Sequence, residues 1–204
     1  MSKPTLYHCT RARSMRALWT LFELGIDHEL VTMKFPPRVH HKDYLQINPL
    51  GTIPCLVDGD TVLTESAAIC QYLAERHGPT PLAVRPDEPA YGAYLNWLHR
   101  SDATFTFPQT LVLRYERLEP PERRNPQVAG DYRKWFLARM RSVESALADQ
   151  DYLCAGRFTV ADIAVAYALV LARELGIEEV FTPNIARYWD RISARPAFQR
   201  AMVT

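Results

Sequence analysis

The residues best suited to chemistry in this chain fall in three short stretches. Asn48-Pro49-Leu50-Gly51-Thr52-Ile53-Pro54 runs into the strand-like Cys55-Leu56-Val57, where a proline is normally excluded. A tight turn there, for which a cis Ile53-Pro54 bond is one route, turns the Ile53 N–H and C=O outward without partners. Thr64-Glu65-Ser66-Ala67-Ala68-Ile69 then opens a helix, so the N–H and hydroxyl of Ser66 face outward at a positive helix end. A backbone reader beside a carboxylate nest suits a small acidic peptide with a free α-amino acid end. The third stretch is His8-Cys9-Thr10-Arg11-Ala12-Arg13-Ser14-Met15-Arg16, which joins a strand to a helix and carries a thiol, two hydroxyls and three cations.

The elements around these stretches set the domain plan. Leu6-Tyr7-His8-Cys9 reads as a strand. Met15, Leu18, Trp19 and Phe22 follow the spacing of an amphipathic helix that Gly25 closes. A second strand is expected over His28 to Phe35, ended by Pro36-Pro37. Cys55-Leu56-Val57 and Thr61-Val62-Leu63 flank the hairpin turn Asp58-Gly59-Asp60, and Glu65 to Arg76 is helical. The order β-α-β, then β-β-α, describes a small α/β domain with a mixed sheet over residues 1–78. Proline-rich residues 79–89 form a connector. Residues 90–204 read as all-helical: Tyr91 to Leu118 with Pro108 bending or breaking it, Gln127 to Ala148, and a buried helix opened by Phe158-Thr159-Val160-Ala161-Asp162-Ile163. There Thr159 caps, Asp162 reaches back to the Thr159 N–H, and Phe158 packs on Ile163.

The bulk numbers exclude several classes. The chain has 204 residues, 48% of them apolar, with 24 Lys and Arg against 23 acids. So balanced a charge gives no general reason to expect nucleic acid or an anionic membrane as partner. No apolar run nears the roughly 20 residues that span a bilayer, and no signal-peptide core follows Met1. Cys9, Cys55, Cys70 and Cys154 lack a zinc or CxxC spacing, so no metal site is expected and a reducing cytoplasm is the plain reading.

Taken together, NPLGTIP, TES, the proline-rich connector and FTVADI in an all-helical second half resemble the cytosolic glutathione S-transferase superfamily across nearly the whole chain. The resemblance implies a thioredoxin-like N-terminal domain, an all-α C-terminal domain, glutathione as co-substrate, a small apolar electrophile and a homodimer. It implies that Ile53, set by Pro54, pairs its backbone with the cysteinyl part of glutathione. Glu65 faces the γ-glutamyl amine, Ser66 its carboxylate, and His40, with Lys42 in reserve, the glycyl carboxylate.

Glutathione chemistry needs the thiolate, and a free thiol of pKa about 8.5 is only a few per cent ionised at neutral pH. The loop is similar to that of the serine-containing bacterial and fungal branch, often Ser-Arg-Ser-x-Arg before Leu-Trp. Here Ala12 stands in place of the first serine. Ser14 is then the expected hydrogen-bond donor to the thiolate, with Arg13 as electrostatic help. Cys9 is the alternative, as the nucleophile of a glutathione-dependent disulfide or peroxide reductase; an isomerase is a further variant. The third reading is a non-catalytic binding or assembly protein of the same fold. Trp97, Phe105, Phe107, Leu111 and Tyr115 are candidates for the apolar wall, with Phe105, Leu111 and Tyr115 foremost. Buried core is the competing reading for each.

Overall fold

Alternation along β1 (Thr5–His8) buries Leu6 and His8 and leaves Thr5 and Tyr7 partly covered, as expected of a strand with helices on one face. The computed structural model describes residues 3–204. In sheet order β2-β1-β3-β4, β1 runs parallel to β2 (Glu29–Thr32) and antiparallel to β3 (Cys55–Asp58), which forms a hairpin with β4 (Thr61–Leu63). β2 is shorter than the expected His28–Phe35. Its ladder ends where Thr32 meets His8, and one further bond from the Met33 N–H to the His8 C=O (2.8 Å) closes it.

Helix α1 (Ser14–Leu24) buries Met15, Leu18 and Trp19 as its spacing predicts. Gly25 ends it in the left-handed conformation (φ 64°), with the Gly25 N–H on Phe22 O and the Ile26 N–H on Leu21 O. These are the two bonds of a Schellman cap. A short helix α2 (Pro37–His40) and a 3₁₀ turn (Lys42–Gln46) precede the NPLGTIP segment, and α3 (Ser66–Arg76) follows β4.

The chain divides into two compact units, Met1–Ala83 with Ser193–Thr204, and Val84–Ile192. The boundary differs from the 1–78 and 90–204 reading chiefly at the C-terminus. Helix α9 (Pro196–Val203) completes the first unit: Phe198 meets the Trp19 ring edge-on at 4.9 Å, and Arg195 pairs with Glu23 through Nε (2.6 Å) and Nη2 (2.8 Å). Trp19, already a core residue of α1, is thereby covered.

In the second unit the expected Tyr91–Leu118 helix is continuous: α4 (Tyr91–Arg100), a wide π turn (Ser101–Thr106), α5 (Phe107–Leu113) and a second wide turn (Arg114–Leu118). Pro108 therefore neither breaks the helix nor leaves it regular. Lacking an N–H for the carbonyl four residues back, it stands just after the segment that widens. Asn125 caps α6 (Pro126–Ala146) by accepting from the Val128 N–H at 3.1 Å. Helix α7 (Val160–Glu174) carries the anticipated capping box and is buried from Val160 to Ala172. Helix α8 (Pro183–Ser193), which hydrophobic pattern alone left unplaced, sends the Tyr188 hydroxyl to Asp162 Oδ1 at 3.1 Å. No helix among the described residues is long and apolar enough to cross a membrane.

Candidate functional site

All three chemistry-bearing stretches belong to the first unit, and the sheet brings their ends together. Tyr7 pairs with Cys55, so the same register carried on by two residues sets Cys9 beside Ile53. Cys9, Met33, Tyr44 and Cys55 form one buried cluster, and Ala12 and Ile53 both pack against it. The loop after β1 and the peptide-reading segment therefore share one floor.

The turn before Pro54 is held from below. The Ile53-Pro54 bond is cis. Asn48, buried, donates from Nδ2 to the Thr52 C=O (3.0 Å) and accepts at Oδ1 from the Leu50 N–H (3.1 Å). The Tyr44 hydroxyl also donates to the Thr52 C=O, at 2.7 Å. Gly51 has φ +59°, and a Cβ there would lie 2.6 Å from Arg38 Cβ and 2.9 Å from Leu45 Cδ2. Only glycine meets both demands. The N–H and C=O of Ile53 enter no hydrogen bond among the described residues, the unpaired state that the sequence predicts for them.

At α3, Glu65 is the exposed N-cap residue in extended conformation, and Ser66 is the first helical residue, buried. Behind Ser66 stands a group that sequence reasoning left undecided. Arg16 is fully buried, and its Nη1 donates to Ser66 Oγ at 2.9 Å. A cation and a helix N-terminus thus act at one point, and both favour an anion. The i, i+2, i+5 run of arginines did not by itself show which one faces inward. The burial of Ser14, Met15, Ala17 and Leu18 around it does.

Ser14 does not take the role expected of it. Its side chain is wholly buried; Oγ accepts from the Cys9 N–H (3.1 Å) and donates to the Cys9 C=O (3.2 Å). A hydroxyl has one proton, and this one is committed to closing the loop onto β1. Cys9 is corrected likewise. It is 1% exposed, and burial pushes its thiol up to about 11, the reverse of what a nucleophilic cysteine needs. Arg13, half-exposed at the N-cap of α1, remains at the loop surface, and Arg11 beside Ala12 is exposed with φ 60°. Thr10 turns its hydroxyl to the Thr204 oxygen at 3.2 Å. Tyr7 is half-buried against Tyr44 (centroids 5.2 Å apart), and burial raises its pKa.

His8 is another buried polar group at this place. Neither ring nitrogen reaches a hydrogen-bond partner among the described residues. Burial pushes its pKa down to about 4, against a smaller upward pull from the Ser14 backbone. His40 is exposed at the end of α2, and Lys42 is exposed at the following turn, while His41 Nε2 accepts from the Lys34 N–H at 3.1 Å.

In the second unit Phe105 is fully buried and stacked on Trp97 (centroids 6.2 Å apart), so it is core of the helical unit and not a wall residue. Trp97 is buried with it; Phe107 is 53% exposed; Leu111 and Tyr115 are partly buried. No group of three or more His, Cys, Asp or Glu side chains that could hold a metal ion occurs among the described residues.

Residues 11–76 match the glutathione S-transferase N-terminal domain model, and residues 122–196 match the C-terminal domain model. The chain is 33% identical to glutathione S-transferase 3 of Zea mays over 195 residues, covering 92% of this chain and 87% of that protein. It is 30% identical to glutathione S-transferase GstA of Escherichia coli O157:H7 over 206 residues, covering 97% and 96%. Among solved structures, glutathione S-transferase III in apo form superposes with a TM-score of 0.83 at 28% identity, covering 100% of this chain and 97% of that one. The ternary complex of BphK, a bacterial transferase, superposes with a TM-score of 0.86 at 25% identity and 98% coverage of both chains. A four-stranded mixed sheet with a cis-proline turn, joined in one chain to an all-helical unit, is the architecture of this family. The chain belongs to the glutathione S-transferase family; it is a transferase that uses glutathione as co-substrate.

Proposed function

We propose that glutathione lies along the edge formed by Ile53, α3 and the loop after β1, and that its thiolate attacks a small, largely apolar electrophile. Ile53 pairs its backbone N–H and C=O with the cysteinyl residue. Glu65 receives the γ-glutamyl ammonium, Ser66 and the α3 N-terminus receive the γ-glutamyl carboxylate, and His40 or Lys42 meets the glycyl carboxylate. The observation that carries the reading is the buried Arg16–Ser66 pair under the N-terminus of α3, which supplies an anion site beside an unpaired peptide edge.

The thiol then lies toward the start of α1. Ionising most of it near neutrality means lowering its pKa by roughly two units, about 2.7 kcal/mol of preferential thiolate stabilisation. A helix N-terminus supplies about 0.3–1 kcal/mol in exposed settings. A cation about 6 Å away, at an effective dielectric of about 40, adds about 1.4 kcal/mol. The helix alone is insufficient, so Arg13 is the electrostatic partner, and Ser14 acts by holding the loop. The thiolate sulfur forms the new bond to carbon as the electrophile's leaving group departs, or as an activated double bond takes up the electron pair and then a proton. Rate comes from thiolate stabilisation and from holding the two reactants together. Leu111 and Tyr115, partly open on the helical unit, remain candidates for contact with the electrophile.

The same reading includes conjugation of foreign electrophiles as a detoxifying role, a homodimer as the family's usual assembly, and a reducing cytoplasm, in keeping with four cysteines that form no disulfide. The test is a titration of thiolate absorbance for bound glutathione in wild type and Arg13→Gln. A bound thiol ionising well below its free value, rising by about one unit in the variant, is the expected result. Absence of saturable glutathione binding would refute the site.

A further inference from the structure

The helical unit holds a cleft that the transferase reading does not use. It lies between α6 and the segment after α7, made of the 3₁₀ turn Glu178–Val180 and the start of α8, and its volume is about 340 Å³. That is the lower end of the range that takes small organic ligands. Every lining residue belongs to the second unit, whereas Ile53, Glu65 and Ser66 belong to the first.

Two fastenings hold the walls apart. Arg133 donates to the Gly176 and Leu175 carbonyls (3.3 and 3.5 Å) and stands 3.8 Å from Glu179. About three turns further along α6, roughly 16 Å by the helical rise, Glu144 accepts from the Thr182 hydroxyl and from the N–H groups of Asn184 (3.2 Å) and Ile185 (3.0 Å). Between the two, Ala138 puts only a methyl toward the opposite wall, where Val180 and Ile185 are buried.

Four charged residues also line the cleft, and they differ in what they already hold. The acids are engaged: Glu144 with Thr182 and the α8 backbone, Glu179 with Arg133. The cations are not. Among the described residues neither Lys134 nor Arg141 makes a hydrogen bond, ion pair or ring contact, although both acids line the same cleft. A spacing of seven sets Lys134 and Arg141 on one face of α6, about 10 Å apart along its axis, with Ala138 between them.

We propose that this cleft binds an apolar anion, a compact aromatic or aliphatic body carrying one carboxylate. The body lies against Ala138, Val180 and Ile185, and the charge is met by Lys134 and Arg141. The site needs neither glutathione nor the residues assigned to it.

2-Naphthoate and 2-naphthamide share one ring system and differ in charge. Binding of each is measured by titration calorimetry, with S-hexylglutathione present to fill the glutathione edge, in wild type, Lys134→Gln/Arg141→Gln and Ala138→Phe. Wild type should bind naphthoate about tenfold tighter than the amide, a preference that shrinks as salt is raised. The double charge variant should lose most of that preference and keep amide affinity within about twofold. Ala138→Phe should abolish binding of both by filling the cleft, with transferase kcat/KM unchanged in either variant. The charge variant alters two exposed side chains only, so it decides the matter even if Ala138→Phe fails to fold. Equal wild-type affinity for the two compounds overturns the proposal, as does naphthoate binding that the charge variant leaves intact. Absence of saturable naphthoate binding below about 5 mM also overturns it. A protein that bound naphthoate as expected but not S-hexylglutathione would sustain this site and refute the glutathione edge.

Discussion

Replacing Arg16 by methionine tests the anion site at its foundation. The guanidinium is buried and 2.9 Å from Ser66 Oγ, so a carboxylate accepting from Ser66 at the α3 N-terminus would lie about 5–6 Å from the charge. At an effective dielectric of about 20 the attraction is about 3 kcal/mol, equivalent to a factor of roughly 150 in affinity. Solvent on the ligand side screens part of this, so a loss of about 30- to 150-fold in glutathione affinity is expected. Folding stability should change less than binding. Methionine fills much of the same volume, and exchanging a buried charge for an apolar group is often near neutral, although Ser66 loses a donor. Titration calorimetry with glutathione and with an analogue lacking the γ-glutamyl carboxylate separates the effects. Arg16→Met should weaken glutathione strongly and the analogue only slightly. If the folded variant bound glutathione within threefold of wild type, or weakened both ligands equally, the assignment of Arg16 to that carboxylate would be wrong.

Gly51→Ala should destabilise the fold by about 2–3 kcal/mol in denaturant titration and raise the KM for glutathione, because the added Cβ meets Arg38 and Leu45 at a left-handed residue. His8 is depressed to about 4 from an ordinary value near 6.5, so it favours the folded state above that value and loses this contribution as pH falls toward 4. Asp162, raised by burial to about 6, titrates in the same range with the opposite sign. The stability difference between wild type and His8→Phe isolates the histidine, and it should shrink by about 3 kcal/mol between pH 7 and pH 4. A gap independent of pH would show that His8 is not buried as the neutral ring. Asp162→Asn should cost about 3 kcal/mol, read as a fall in Tm, since Oδ1 accepts from the Leu153 N–H (3.0 Å) and Oδ2 from the Thr159 N–H (2.8 Å), and an amide with one oxygen must turn its NH2 toward one of these donors.

Much of the fold was legible because its signals are local. Gly25, the Asp58-Gly59-Asp60 turn and the Thr159–Asp162 box each act within a few residues, and each appears where the pattern put it. The parts that escaped depend on contacts distant in sequence. Ser14 at a helix start is as compatible with donation to a ligand as with closing a loop, and only the position of Cys9 distinguishes the two. Arg16 could be assigned only once α1 had been oriented toward Ser66, fifty residues away. Phe105 shares helical spacing with exposed neighbours, but the wide turn rotates it into the core.

Helix α9 has a consequence for how the molecule is made. Residues of the first unit are synthesised both before and after the entire helical unit. Until Arg195 and Phe198 emerge, Glu23 lacks its guanidinium partner and the edge of Trp19 is uncovered, on the same helix whose start is proposed to face the glutathione thiol. Ribosome-bound chains must therefore carry an unfinished first unit while the whole helical unit is made. Residues 1–83 alone would not reconstitute it, and a cut before residue 193 would act on the N-terminal site more than on the helices it follows.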